Sequence, residues 1–261
     1  MKFFHVDSYT SRPFGGNPAG VCILTHPKVD SWMLNVAAEM NLSETAFIIR
    51  SANGYNLRWF TPKIEVELCG HGTLASAHII WQEGLAREDE AILFQTKSGT
   101  LSCRRREASI AMDFPLLPEH QIDPPERLAR SLGISPVYVG ARGQDILVDV
   151  GSEEAVKEIR PDYSLMLELP IRGVIVTGRA GGQEFDFVSR FFAPRVGINE
   201  DPATGWAHCC LASYWSKRLM KNDLVARQVS ERGGVIGMRI QGGRVELSGE
   251  AITVMKGEIV I

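Results

Sequence analysis

Residues 58–62 read Arg58-Trp59-Phe60-Thr61-Pro62, and residues 190–194 read Arg190-Phe191-Phe192-Ala193-Pro194, one pattern repeated at an offset of 132. The echo continues downstream. Gly72 opens the apolar segment TLASAHIIW and Gly205 opens WAHCCLASYW, 133 residues later; Gln95 finds its counterpart in Gln228 at the same offset. A glycine follows each glutamine (Gly99, Gly233), and short alternating runs follow each glycine. A constant offset through several landmarks marks an internal duplication, so the chain reads as two related halves.

Each half reads as strand, tight loop, helix, then several strands. Thr73–Glu83 and Trp206–Leu219 are long enough for helices and apolar on nearly every face, which predicts that both lie buried at the centre of a half. Gly84 stands where a helix C-terminus wants a left-handed residue. A further helix over Asp30–Met40 carries Met33, Val36, Ala37 and Met40 on one face, and Ser152 is placed to cap another at EEAVKEI. Runs such as KFFHV, GVCIL, AFII, DILVDV and GVIVT outnumber the helices, so the class is α+β with sheets wrapped around central helices. The proline-rich stretch Phe114 to Pro125 is the expected linker between the halves.

The 261 residues leave room for two modest domains. Lys+Arg 28 against Asp+Glu 31 gives a net charge of -3, which offers no electrostatic footprint for nucleic acid or an anionic membrane. The N-terminal residues lack the apolar core of a signal peptide and no run reaches membrane-spanning length, so the expected location is cytoplasmic. Five cysteines with no C-x-x-C pair suit free thiols in a reducing compartment. Six histidines with no H-x-H or H-E-x-x-H spacing predict no metal. The expected partner is a small acidic molecule, neither nucleic acid nor membrane, with a homodimer as the one assembly considered.

Chemistry concentrates in the two loops that lead into the central helices. Glu67-Leu68-Cys69-Gly70-His71-Gly72-Thr73 faces its counterpart Glu200-Asp201-Pro202-Ala203-Thr204-Gly205-Trp206. Unpaired N–H groups and the positive dipole end at each helix start suit a carboxylate, and pseudo-symmetry would bring the loops face to face as a clamp. His71 and Asp201 are the ionisable groups best placed to meet such a ligand. A histidine at a helix N-terminus is expected to stay neutral, because the dipole disfavours the cation. His78 and His208, inside the apolar helices, read as satisfied core residues. Simple helix capping is the plainer reading of Asp201.

These residues resemble the phenazine-biosynthesis (PhzF-like) isomerases, which share a fold with diaminopimelate epimerases. The likeness is carried by Pro13 to Gly20 (PFGGNPAG), Ser43 to Phe47 (SETAF), Arg58 to Pro62, Cys69-Gly70-His71, Glu200 to Gly205 (EDPATG) and Arg232-Gly233-Gly234. It implies two pseudo-symmetric halves, each a strongly curved, mostly antiparallel sheet around a buried helix. The halves would be residues 1–115, joined by the last strand at about 250–261, and residues 116–249, with the active site in the cleft between them. It further implies a cofactor-independent isomerase that moves a proton on a small carboxyl- or amino-bearing substrate. Glu44, unremarkable on its own, becomes the proton carrier, with His71 and Asp201 completing the catalytic set. Asn17, Ser43, Gly72, Thr73, Thr204, Gly205 and Trp206 are the expected substrate-binding residues.

One position departs from the family pattern, which commonly has serine where this chain has Trp206. An indole there is expected to wall the cleft and favour a smaller or flatter acid than the phenazine precursor. Two alternatives stand beside this reading. A two-thiol epimerase or racemase would use Cys69, but its second cysteine position falls on Pro202, and Cys209 and Cys210 lie a turn inside the helix. A non-catalytic binding protein on the same fold is the other. Gly70-His71-Gly72-Thr73-Leu74-Ala75 also spells a dinucleotide fingerprint, yet the acidic residue expected some twenty positions on is missing.

Overall fold

The β-branched and aromatic runs near the N-terminus become three neighbouring strands, as their pleated, half-buried surfaces require. The computed structural model describes residues 1–260. These divide into two units, Met1–Phe114 with the returning segment from Glu246, and Pro115–Val245.

The first unit runs β1 (Lys2–Ser8), β2 (Asn17–Leu24), α1 (Asp30–Met40), β3 (Glu44–Ser51), β4 (Gly54–Phe60), β5 (Glu65–Val66), α2 (Gly70–Gln82), β6 (Ile92–Thr96), β7 (Gly99–Arg106) and β8 (Ser109–Pro115). β2 lies parallel to β3 and β4 parallel to β6, whereas the other pairs in this run are antiparallel. Parallel neighbours need a crossover. Here α1 supplies the first and α2 the second.

The second unit repeats that order with β9 (His120–Gln121), α3 (Leu128–Leu132), β10 (Tyr138–Arg142), β11 (Asp145–Ser152), α4 (Glu153–Glu158), α5 (Tyr163–Glu168), β12 (Gly173–Arg179), β13 (Phe187–Ala193), β14 (Ile198–Asp201), α6 (Gly205–Leu219), β15 (Asp223–Gln228) and β16 (Gly234–Gln241), and β17 (Arg244–Gly249) crosses the boundary between Val245 and Glu246. The parallel pairs recur as β11 with β12 and β13 with β15. The duplication read from the sequence is therefore a duplication of topology. The chain then returns to the first unit as β18 (Ala251–Glu258), antiparallel to β1.

Alternation along the strands decides what each sheet face holds. Phe3, Cys22, Phe47 and Phe60 pack with Met33, Val36 and Ala37 of α1 on one face of the first sheet. The opposite face meets α2, which is buried from His71 to Trp81 except at His78. In β3 this face belongs to the even-numbered residues Glu44, Ala46 and Ile48, one pleat out of step with Phe47. Glu44 thus turns toward the central helix. In β11 the even residues Ile146, Val148 and Val150 join the cluster under α3 to α5, which leaves Asp145 and Asp149 facing α6.

Both central helices begin slightly earlier than their apolar content suggests. α2 includes Gly70, His71 and Gly72, because Cys69 acts as N-cap and its sulfur accepts the Gly72 N–H at 3.3 Å. α6 likewise includes Gly205. Gly84, at φ +67°, ends α2 as expected, with its N–H bonded to the Trp81 carbonyl. The side chain of Ser152 caps α4 by accepting the Ala155 N–H. No helix among the described residues is long and apolar enough to cross a membrane.

Candidate active site

In the first unit, the register aligns Ala19 of β2 with Glu44 of β3, so Asn17, Ala19 and Glu44 share the face that meets α2. The Ser8 hydroxyl donates to the His71 carbonyl at 2.9 Å and ties the first turn of α2 to the end of β1. The result is a close approach: His71 Nε2 lies 3.0 Å from Glu44 Oε2, with side-chain exposures of 8% and 13%. Glu44 Oε2 makes no well-aligned hydrogen bond there, so the contact is one of charge and proximity. Cys69 Sγ completes the group, 3.6 Å from His71 Nδ1 and 3.8 Å from Nε2.

Burial disfavours the imidazolium of His71, but the Cys69 sulfur and the Glu44 carboxylate outweigh it and hold the His71 pKa well above the ordinary histidine value. Burial also pushes the Cys69 thiol up, although His71 pulls the other way. With Cys69 kept as a thiol, Glu44 is the partner that sustains the charge on His71. The expectation of a neutral His71 is thereby corrected. A full carboxylate at 3.0 Å outweighs the half-charge of a helix end.

Neighbouring groups fix the histidine in place. Thr73 donates its hydroxyl to the Cys69 carbonyl at 2.6 Å, so its proton belongs to the helix cap. A Cβ on Gly72 would stand 2.8 Å from Trp59 Cδ1 and 3.0 Å from Cys69 Sγ, which is why this turn needs glycine. Trp59 is 1% exposed and its Nε1–H has no partner among the described residues. Ser43, just before β3, is half-buried.

The remaining candidates belong to the second unit. Asp201, 8% exposed, ends β14. Its carboxylate accepts the Thr204 hydroxyl and its carbonyl accepts Gln228 Nε2 at 2.6 Å. Thr204 is the N-cap of α6 by position and makes no side-chain cap bond; its hydroxyl is turned to Asp201, which orients the cap residue. Gln228 also accepts the Thr204 N–H at 2.9 Å, and Ser230 donates to the Pro202 carbonyl at 2.7 Å. The EDPATG loop is thus cross-braced from β15 and the turn after it. Arg190 forks onto Glu200 at 2.7 and 2.9 Å, just as Arg58 forks onto Glu65 at 2.7 Å for both bonds. The repeated arginine is a brace for the loop that precedes each central helix.

Trp206, in the first turn of α6, is held within its own unit. Its indole N–H donates to Asp145 at 3.1 Å, Asp145 is gripped by the Arg172 guanidinium, and that guanidinium lies 5.6 Å from the indole centroid. The ring offers a face, since its one donor is spent. Gln228, Asp145 and Arg172 escaped the sequence reading as site residues, and Cys69 entered it only through the motif Cys69-Gly70-His71 and the two-thiol alternative. Of the three, only Gln228 carried a signal, as a landmark of the repeat.

All five cysteines are free and buried. Cys210 is pushed up to about 12 by burial in α6, and burial raises Cys209 as well. Neither has the exposure or the lowered pKa of a reactive thiol.

The family described as phenazine biosynthesis-like protein matches this chain over residues 6–257. The chain is 48% identical over 257 residues to an uncharacterized isomerase of Halalkalibacterium halodurans, covering 98% of this chain and 97% of that one. A crystal structure of a phenazine biosynthesis protein of the PhzF family from Enterococcus faecalis superposes with a TM-score of 0.95 at 38% identity, covering 100% of this chain and 99% of that one. A probable proline racemase from Agrobacterium radiobacter reaches a TM-score of 0.67 at 11% identity, over 100% of this chain and 93% of that one, a likeness of fold alone.

Proposed function

Because this chain belongs to the phenazine biosynthesis-like family, we propose that it is an isomerase that shifts a proton on a small carboxyl- or amino-bearing substrate by general acid–base catalysis, with Glu44 as the proton carrier. The observation that carries this reading is the Glu44–His71 pair, 3.0 Å apart and largely shielded from water. At that distance His71 holds the Glu44 carboxyl in place to accept a proton. Once Glu44 is protonated, the carboxylic acid can exchange its proton with solvent and deliver one to a different carbon of the substrate. Such a carrier contributes typically ~10²–10⁴-fold. The reaction requires no redox partner, since a proton leaves one carbon and the same or another proton returns.

Asp201 is proposed as the second unit's contribution, with Thr204 and Gly205 at the start of α6 and Trp206 offering an aromatic face. Asn17, Ser43, Gly72 and Thr73 are proposed to surround the substrate near Glu44. Five free, buried cysteines suit a reducing compartment, and we place the protein in the cytoplasm. A screen of small amino and hydroxy acids for solvent deuterium incorporation tests the proposal, since exchange is detected whatever the product. At least one acid is expected to take up deuterium with wild-type protein. A set of acids spanning both classes that gains none above the buffer control would contradict an isomerase of this kind.

A further inference from the structure

The face of the first sheet that carries α1 is not wholly covered by it. Strand register sets Leu24, Ile49, Asn56 and Gln95 side by side across β2, β3, β4 and β6. Leu24 is buried and Ile49 half-buried, but the row ends in two amides, Asn56 exposed and Gln95 half-buried. A groove of about 410 Å³ runs over these residues and reaches Phe47, Met33 in the first turn of α1, and Lys28 in the loop before it. That volume lies in the lower part of the range for small-molecule sites, ~300–1,000 Å³. The apolar stretch is short, because the two amides close it at one end.

Charge decides what kind of molecule the groove suits. Arg58 bonds to both Glu65 and Asp30, and Lys97 joins Glu65 at 2.5 Å. These two cations and two acids balance. Lys28 stands outside that network. Its Nζ lies over the Trp32 ring, 5.0 Å from the centroid, and it has no acidic partner among the described residues. A half-buried lysine lays its stem along apolar surface and keeps its ammonium at the rim, where a carboxylate makes a charge-assisted hydrogen bond. A neutral apolar guest would leave Lys28 unanswered, and an acid with no apolar body would leave the floor wet.

We propose that this groove binds a small amphipathic monocarboxylate, with its apolar body on Leu24, Ile49 and Met33 and its carboxylate on Lys28. The site is separate from the candidate active site. It occupies the α1 face of the sheet, whereas Glu44 turns from the opposite face of β3 toward α2. Nothing in the argument depends on the isomerase reading.

The test is isothermal titration of the intact protein with octanoate and, as the uncharged control, octanol. Wild type should bind one octanoate per chain, and octanol at least tenfold more weakly. Lys28→Glu changes a loop residue and should weaken octanoate roughly tenfold or more. Ile49→Thr keeps a β-branched residue in β3 and should weaken it about fourfold or more, the loss of one buried methylene, which supplies a second handle should Lys28→Glu fail to fold. Glu44→Gln should bind octanoate as wild type does. Octanol as tight as octanoate, wild-type affinity in either groove variant, or no heat at millimolar octanoate would overturn the site. Binding lost in Glu44→Gln would do the same, by moving the acid to the candidate active site.

Discussion

Acid should weaken the second unit through one buried histidine. His208 sits in the first turns of α6 with 0% exposure, where Nδ1–H donates to the Thr204 carbonyl at 2.8 Å and Nε2 accepts from the Ser189 hydroxyl at 3.3 Å. Phe187 stacks on the ring at 6.1 Å. These partners suit a neutral imidazole with its proton on Nδ1 and place no opposite charge beside Nε2 to stabilise a second proton. Burial accordingly lowers the His208 pKa from 6.5 to about 4, with the bond to Thr204 opposing the shift. The unfolded chain therefore binds the proton first as pH falls. Stability from this group is complete above about pH 6.5 and drains away as pH drops toward 4. A shift of that size corresponds to about 3 kcal/mol, at 1.36 kcal/mol per unit.

The check is urea unfolding, followed by tryptophan fluorescence from pH 7 to pH 4, on wild type and His208→Asn. Asparagine can keep the donor to Thr204 but cannot titrate. The difference in unfolding free energy between the two proteins should narrow by about 3 kcal/mol across that range, because other titrating groups cancel. A difference that stays constant with pH would refute the argument that a neutral His208 is built into the first turn of α6.

Other substitutions probe the site more directly. Gly72→Ala should cost about 1–3 kcal/mol in thermal or urea unfolding, since its methyl must displace Trp59 or Cys69; a neutral result would show that this turn has slack. Gln228→Ala should leave the Thr204 N–H and the Asp201 carbonyl without their brace, destabilise by about 1–3 kcal/mol and raise KM more than it lowers kcat. Unchanged kinetics would mean that the EDPATG loop needs no such support. Trp206→Ser should shift kcat/KM toward larger acids among those that exchange deuterium, and an unaltered preference would remove Trp206 from the specificity determinants. His71→Ala and Asp201→Asn should both be slower than wild type but less impaired than Glu44→Gln, measured as deuterium uptake under the same conditions.

Much of the fold is legible in the sequence because duplication is a sequence property. The Arg–Phe–Pro landmarks and the two apolar helices set the repeat, and the structure shows the reason: each arginine forks onto a glutamate that precedes its central helix. The starts of those helices are less legible. Cys69 caps α2 through its sulfur, an unusual cap, so Gly70 and His71 read as loop. The charge of His71 is misjudged for a related reason, as the helix dipole is visible in a sequence while a glutamate 27 residues away in the chain is not. The resemblance names Glu44; only the pleat of β3 explains why it turns inward. Asp145 and Arg172 carry no signal, because their partnership with Trp206 depends on the register between β11 and β12 and on where α6 packs.

The central claim is that Glu44 itself carries the proton. Glu44→Gln preserves the shape of the side chain and removes its acid–base capacity, so the decisive quantity is the rate of solvent deuterium incorporation into an exchanging acid by this variant, with folding and ligand binding checked on the same sample. The account predicts a fall of ~10²–10⁴-fold with binding intact. A variant that retains more than about a tenth of the wild-type rate, against a contribution expected to be that large, would contradict it.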